Sequence, residues 1–219
     1  MGKSRADLIS DLSSQLKPVK VLSPIGPTIL RWFVPSVVAS LAVAGLLSLI
    51  FAGFDFSVER VLDAKFIIEQ ALLLSSSLAA GLTALMISRP GIDPTLSRLL
   101  SFGTLLLWSV LGMTVLDSFL LPEFAVETMF LGYTCLTVST LSAIPVGISI
   151  HRMVTKGYVM NKPMALFFSI LAATSMGSFA LQFYCPMVTG AIKLVWHILP
   201  IYILSLVGVM LLQAKLKSK

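Results

Sequence analysis

The chain has 219 residues, of which 57% are hydrophobic and 12% charged, and its mean hydropathy is +0.95. Average soluble domains carry about 25% charged residues, so this composition excludes an ordinary soluble domain and points to an integral membrane protein. The formal net charge of +6 does not mark a nucleic-acid-binding face, because the basic residues are scattered over loop ends; no direct nucleic-acid partner is expected.

Residues 1–29 form a polar segment. Ser4 and Asp7 make a capping-box-like start, with Asp in place of the usual Glu or Gln. Leu8, Leu12 and Leu16 recur every fourth residue and Ile9 widens the stripe, which predicts an amphipathic helix over 4–17. Pro18 stops it, and Ser23–Pro27 reads as a rigid, extended connector. The segment does not read as a cleaved signal peptide: Asp7 and Asp11 interrupt it and no small-x-small cleavage site follows the first apolar run.

Six apolar runs follow, at 30–51, 66–88, 99–121, 130–150, 164–184 and 191–213. Each reaches the length of about 20 residues that a helix needs to cross roughly 30 Å of hydrocarbon. Backbone groups in lipid must pair internally, and these runs do not alternate as barrel strands would, so each is predicted to be an α-helix. The expected fold is an all-α six-transmembrane-helix bundle, with a basic tail at 214–219. Pro35 and Pro145 lie inside the first and fourth runs and are expected to distort them.

An even number of crossings puts both termini on one side. That side collects Lys3, Arg5, Lys17, Lys20, Arg31, Arg89, Arg98, Arg152, Lys156, Lys162, Lys215, Lys217 and Lys219, leaving only Arg60, Lys65 and Lys193 opposite. The positive-inside rule makes the terminal side cytoplasmic. Asp55, Glu59, Asp63, Glu123 and Glu127 fall outside. Small residues mark helix contacts: Ser75, Ser76, Ser77, Ala79, Ala80 and Gly81 in the second run, and Ala173 with Gly177 in the fifth. No internal repeat is evident, so inverted-repeat transporter logic has no support.

Placed on this topology, polar groups gather at one depth. Glu69, Asp117, Cys135, Gln182 with Cys185, and His197 all lie about one helical turn from the outer ends of their runs. Intramembrane ionisable residues are candidates for function by default. Two thiols, an imidazole and carboxylates suit zinc-like or softer thiophilic ions. The thiols could equally form a disulfide in an oxidising periplasm. The bland alternative is an interfacial belt of snorkelling polar groups with Tyr133, Tyr184 and Trp196, and cysteines acting as small apolar residues. His151, beside Arg152 at the inner end, reads as interfacial. No GxxxxGK[ST], HExxH, GxSxG or CxxC motif occurs, so no enzyme is expected and no cofactor is required, while a zinc-like or heavy-metal ion could sit at the cysteines.

The leucine pattern Leu8, Leu12, Leu16, Pro18, Val19 ahead of six spans, with Gln182-Phe-Tyr-Cys185-Pro186 and Trp196-His197-x-x-Pro200 near the C-terminus, resembles the NrsF-type family of bacterial inner-membrane anti-sigma factors. The resemblance covers nearly the whole chain, and the last two motifs are its most specific part. It implies that the chain sequesters an extracytoplasmic-function sigma factor at the cytoplasmic face. It also implies release under stress, including heavy-metal stress, through two membrane cysteines, here Cys135 and Cys185. Where that motif often carries His before Cys, this chain has Tyr184.

The expected partners are therefore the sigma factor and the lipid bilayer. Leu8, Ile9, Leu12 and Leu16 are the expected docking stripe, in the helix-in-groove mode. The stripe could instead lie on the inner leaflet, but interfacial helices are typically rich in Lys and Arg, whereas Asp7 and Asp11 occupy this polar face. Cys135 and Cys185 are the expected sensor, with His197, Asp117 and Glu69 as further metal-ligand candidates. A small transporter using Glu69, Asp117 and His197 would need a polar path through both halves, and the inner half offers none. A periplasm-facing thiol oxidoreductase would need a closely spaced dithiol.

Overall fold

The computed structural model describes residues 24–51, 56, 58–113, 126–157, 159, 161–185 and 193–217. All regular structure among them is helical: α1 (Ile25–Ile50), α2 (Val58–Leu62), α3 (Ala64–Ile87), α4 (Thr95–Met113), α5 (Val126–Val154), α6 (Lys162–Gln182), and a π-helical turn (Leu194–Ile198) that runs on into α7 (Leu199–Lys217). Five helical stretches are long and apolar enough to cross a membrane: Ile25–Ile50, Ala64–Ile87, Gly132–Val154, Lys162–Gln182 and Leu194–Leu211. Thr95–Leu111 is a shorter apolar helix. The amphipathic helix expected over 4–17, with its leucine stripe, and Asp117 lie outside the described residues.

α6 is the hub. It packs against α1, α3, α5 and α7, and every residue from Leu171 to Gln182 is buried. The sequence explains this. Ala172, Ala173, Ser175, Gly177, Ser178 and Ala180 leave room for neighbours on every side, and small residues are what let helix backbones approach in lipid. Hydroxyls from the surrounding helices bind this centre: Ser77 donates to the Ala172 carbonyl (2.8 Å), Ser40 to that of Met176 (3.2 Å), and Ser139 and Ser178 share a hydrogen bond (3.2 Å). α1 and α7 are just as apolar but keep most of their surface exposed. Apolar helices with outward-facing sides need an apolar solvent.

Two glycines record how close the packing is. A Cβ at Gly81 would stand 2.4 Å from the Trp32 ring, and one at Gly177 would stand 2.3 Å from the Ser139 carbonyl oxygen. Overpacking typically costs about 1–3 kcal/mol. Gly177→Ala is expected to destabilise more than Gly81→Ala, because its obstacle is the α5 backbone, which must move as a unit, whereas the obstacle at Gly81 is a single side chain. Thermal unfolding of the two variants in detergent measures the difference.

Several expectations are corrected. The connector Ser23–Pro27 is not wholly extended: α1 begins at Ile25, which puts Pro27 in its first turn, where a missing N–H costs no intrahelical bond. The expected loop 52–65 contains α2 and the start of α3, which Asp63 caps by accepting from the Lys65 N–H at 3.4 Å. Pro35 and Pro145 lie inside α1 and α5, where the sequence puts them, and neither helix is divided there. Ser75 is exposed, while Ser76, Ser77, Ala79, Ala80 and Gly81 are buried as contact residues. At the turn between α3 and α4, Gly91 takes the left-handed conformation (φ 86°). There the Thr95 hydroxyl and N–H donate to Asp93, holding its carboxyl below the usual carboxylate range.

Candidate functional site

At the end of the bundle opposite the α3–α4 turn, three elements bring reactive groups together. Cys135 projects from α5, Cys185 lies three residues past the end of α6, and His197 sits in the π-helical turn. Their exposures are 0%, 3% and 1%. The two sulfurs lie 2.8 Å apart, and Cys185 Sγ lies 3.7 Å from His197 Nε2. The three ligand atoms all fall within 4.8 Å of one another.

Local sequence fixes each one. α6 unwinds after Gln182, and the Leu181 carbonyl accepts from both the Tyr184 (3.0 Å) and Cys185 (2.9 Å) N–H groups. Arg60 of α2 donates to the Phe183 carbonyl at 3.0 Å and to the Cys185 carbonyl. A cation that satisfies the last carbonyls complements the helix C-terminus. α2 therefore pins the chain that carries Cys185. On the other side, Pro200 has no N–H to donate to the Trp196 carbonyl and its ring crowds that oxygen. The backbone responds one residue earlier: the Leu199 N–H bonds to the Leu194 carbonyl, a five-residue step. Single π turns of this kind recur at functional sites. Here the widened turn buries His197 against Cys185. It leaves Trp196 half-buried, edge-on to Tyr133 with ring centroids 4.8 Å apart.

Glu69 is at the predicted depth but has another partner. Lys193, at the head of the π turn, forms a buried ion pair with it; the two residues are 7% and 4% exposed. The Lys193 ammonium also lies 5.8 Å from the centroid of the Trp108 ring on α4. Beside the pair, Gln70 Nε2 donates to Gln182 Oε1 at 2.6 Å, tying α3 to α6. A cavity of about 30 Å³ lies between these groups, lined by Arg60, Phe66, Glu69, Gln182, Cys185, Lys193 and His197. It is large enough for one water. Glu69 Oε1, Gln182 Nε2 and His197 Nδ1 have no hydrogen-bond partner among the described residues.

The donor set fits a soft, thiophilic cation: two sulfurs and one imidazole nitrogen, buried and close. At a zinc–sulfur distance of about 2.3 Å, two thiolates on one tetrahedral ion lie roughly 3.8 Å apart. The sulfurs, at 2.8 Å, would therefore have to separate by about 1 Å to share an ion, and would have to approach to form a disulfide at about 2.05 Å. The pair stands between these two states.

Thus the structure gathers Cys135, Cys185 and His197, and holds Glu69 one layer away on Lys193. Sequence reasoning missed Lys193, Arg60 and Gln70. Lys193 and Arg60 were counted only as outside charges. The signal for Lys193 was its position four residues before His197 at the start of an apolar run, where a cation needs a counter-ion and Glu69 was the acid at matching depth.

The family model described as NrsF, negative regulator of sigma F, matches residues 12–217 of this chain. No curated protein and no solved structure matches it.

Proposed function

The chain belongs to the NrsF family of negative regulators of sigma F, and we propose that it is a membrane anti-sigma factor that holds an extracytoplasmic-function sigma factor at the cytoplasmic face of a bacterial inner membrane. The proposed topology has six crossings and both termini inside, with thirteen of the sixteen Lys and Arg residues on that side. α4 supports the sixth crossing. It starts at Thr95, beside the α3–α4 turn, and carries Trp108 up to Lys193 in the cysteine layer. It thus runs between both ends of the bundle.

The leucine stripe of residues 8, 9, 12 and 16 grips the sigma factor in a groove. The signal acts on the thiol pair. A soft heavy-metal ion displaces protons from Cys135 and Cys185, with His197 as nitrogen donor. Alternatively, an oxidant accepts two electrons and two protons as the Sγ–Sγ bond forms. The two events move the sulfurs in opposite directions, but each changes how the end of α6 sits on α5. Because α6 touches four other helices, that change reaches the cytoplasmic ends of the bundle. The signal must favour the released state over the bound one by its own binding or bond energy, or nothing is released. The observation that carries this reading is the buried thiol pair joining α5 to the end of the hub helix.

The test uses a sigma-dependent reporter in cells with Cys135→Ser/Cys185→Ser. The variant is expected to keep the sigma factor bound, with reporter output at the repressed level. It is expected to lose induction by cadmium and by a thiol oxidant. Normal induction in the double variant would rule out the thiol mechanism while leaving sequestration intact.

A further inference from the structure

The end of the bundle away from the cysteines carries a second built feature, on the outer surface of α5 and α6. Two cavities meet there. One, of about 390 Å³, runs along the seam between α5, α6 and α7, with Thr140, Ile144, Gly147 and Val207 among its lining residues. The other, of about 360 Å³, is formed by the end of α5, the start of α6 and the chain between them, and includes Val154, Gly157, Val159 and Lys162. They share His151, Leu166 and Ser169, so they form one continuous groove.

The groove changes character along its length. From Thr140 to His151 its lining is apolar but for a few hydroxyls. That distance is eleven residues of α5, or about 16 Å, roughly half of the hydrocarbon thickness. Its mouth carries His151 and Lys162, both exposed, with Arg152 on the end of α5 and Lys156 just past it. Among the described residues, no carboxylate lines either cavity. An ordinary lipid-facing surface is ridged; this one is concave and cationic at one end only.

We propose that the groove is a binding site for an anionic glycerophospholipid of the cytoplasmic leaflet, with one acyl chain along the α5–α6–α7 seam and the phosphate between His151 and Lys162. The proposal rests on the membrane placement and orientation argued above. Basic pockets between helices on the cytoplasmic side have the chemistry that anionic headgroups select. A water-borne ligand is disfavoured, because the apolar half of the groove faces hydrocarbon. The chain's own leucine stripe is disfavoured for the same reason, since it approaches from the aqueous side.

The test is native mass spectrometry of the full chain, extracted from membranes in detergent and titrated with phosphatidylglycerol or with phosphatidylcholine of matched acyl chains. Phosphatidylglycerol is expected to be retained in preference, roughly fivefold for each cation engaged. Lys162→Gln with His151→Gln should abolish that preference, Lys162→Arg should keep it, and Ile144→Trp, which fills the seam, should weaken both lipids. Equal retention of the two lipids, or a preference untouched by Lys162→Gln with His151→Gln, would overturn the site. Displacement of phosphatidylglycerol by inorganic phosphate would overturn the role of the acyl seam. Adducts that form only when Leu12→Asp disrupts the N-terminal stripe would assign the groove to that segment instead. A chain recovered from the soluble fraction would sink the membrane placement and this proposal together, whereas the outcomes above leave the placement standing.

Discussion

Leu12→Asp is expected to abolish co-purification of the sigma factor and to make sigma-dependent transcription constitutive. On the helix proposed for this segment, at 3.6 residues per turn, Leu12 would lie at the centre of a stripe with Leu8, Ile9 and Leu16 spanning about 100°. Removing a buried leucine forfeits about 1.5–3 kcal/mol. Placing a carboxylate in the same apolar groove adds a desolvation penalty of similar or larger size, so affinity should fall by about a thousandfold or more. Ser14→Asp would add the same charge to the opposite face of the proposed helix and is expected to leave binding within about twofold, as rim charges usually do. The comparison separates stripe from charge. It also separates partner docking from attachment to the leaflet: if the stripe serves only the lipid surface, Leu12→Asp frees the segment from the membrane yet keeps the sigma factor bound. Pull-down and reporter assays on the two variants decide the matter.

Depth was legible in the sequence because hydropathy fixes where each run ends, and counting turns from those ends put Glu69, Cys135, Cys185 and His197 at one level. Rotation was not legible. α6 is apolar and small on every side, so no periodicity tells which residue faces which neighbour. Only the packed structure puts Cys185 against Cys135 and turns Glu69 toward Lys193. The π turn had a visible cause, Pro200, but its consequence for His197 depends on how the last helix docks on α5. Lys193 was misread for a related reason. A charge at the end of an apolar run looks like a boundary marker, and only a partner contributed by another helix shows that it is buried. The proposed docking stripe is the reverse case: its amphipathic pattern is plain in the sequence, while the partner proposed for it is another molecule.

That buried pair gives the second large effect. Lys193→Met is expected to destabilise the bundle by about 3–5 kcal/mol, because it strands the Glu69 carboxylate in a site built around an ammonium. Glu69→Gln strands the lysine and should cost a comparable amount. The double variant, Glu69→Gln with Lys193→Met, removes both charges with little change in volume and is expected to recover most of the loss, since replacing a buried ion pair with uncharged groups is often close to neutral. Thermal unfolding of the four proteins in the same detergent gives the coupling directly. If the losses of the two single variants add in the double, the groups do not act as a pair. The functional consequence differs from the thermal one. Glu69 belongs to α3, Lys193 leads into the π turn that carries His197, and both line the cavity beside Cys185. The pair therefore holds His197 at its distance from the thiols. The double variant, stable but no longer anchored there, is expected to keep the sigma factor bound and to shift the metal or oxidant concentration needed for release. A double variant with full stability and an unchanged response curve would confine the ion pair to holding the helices together.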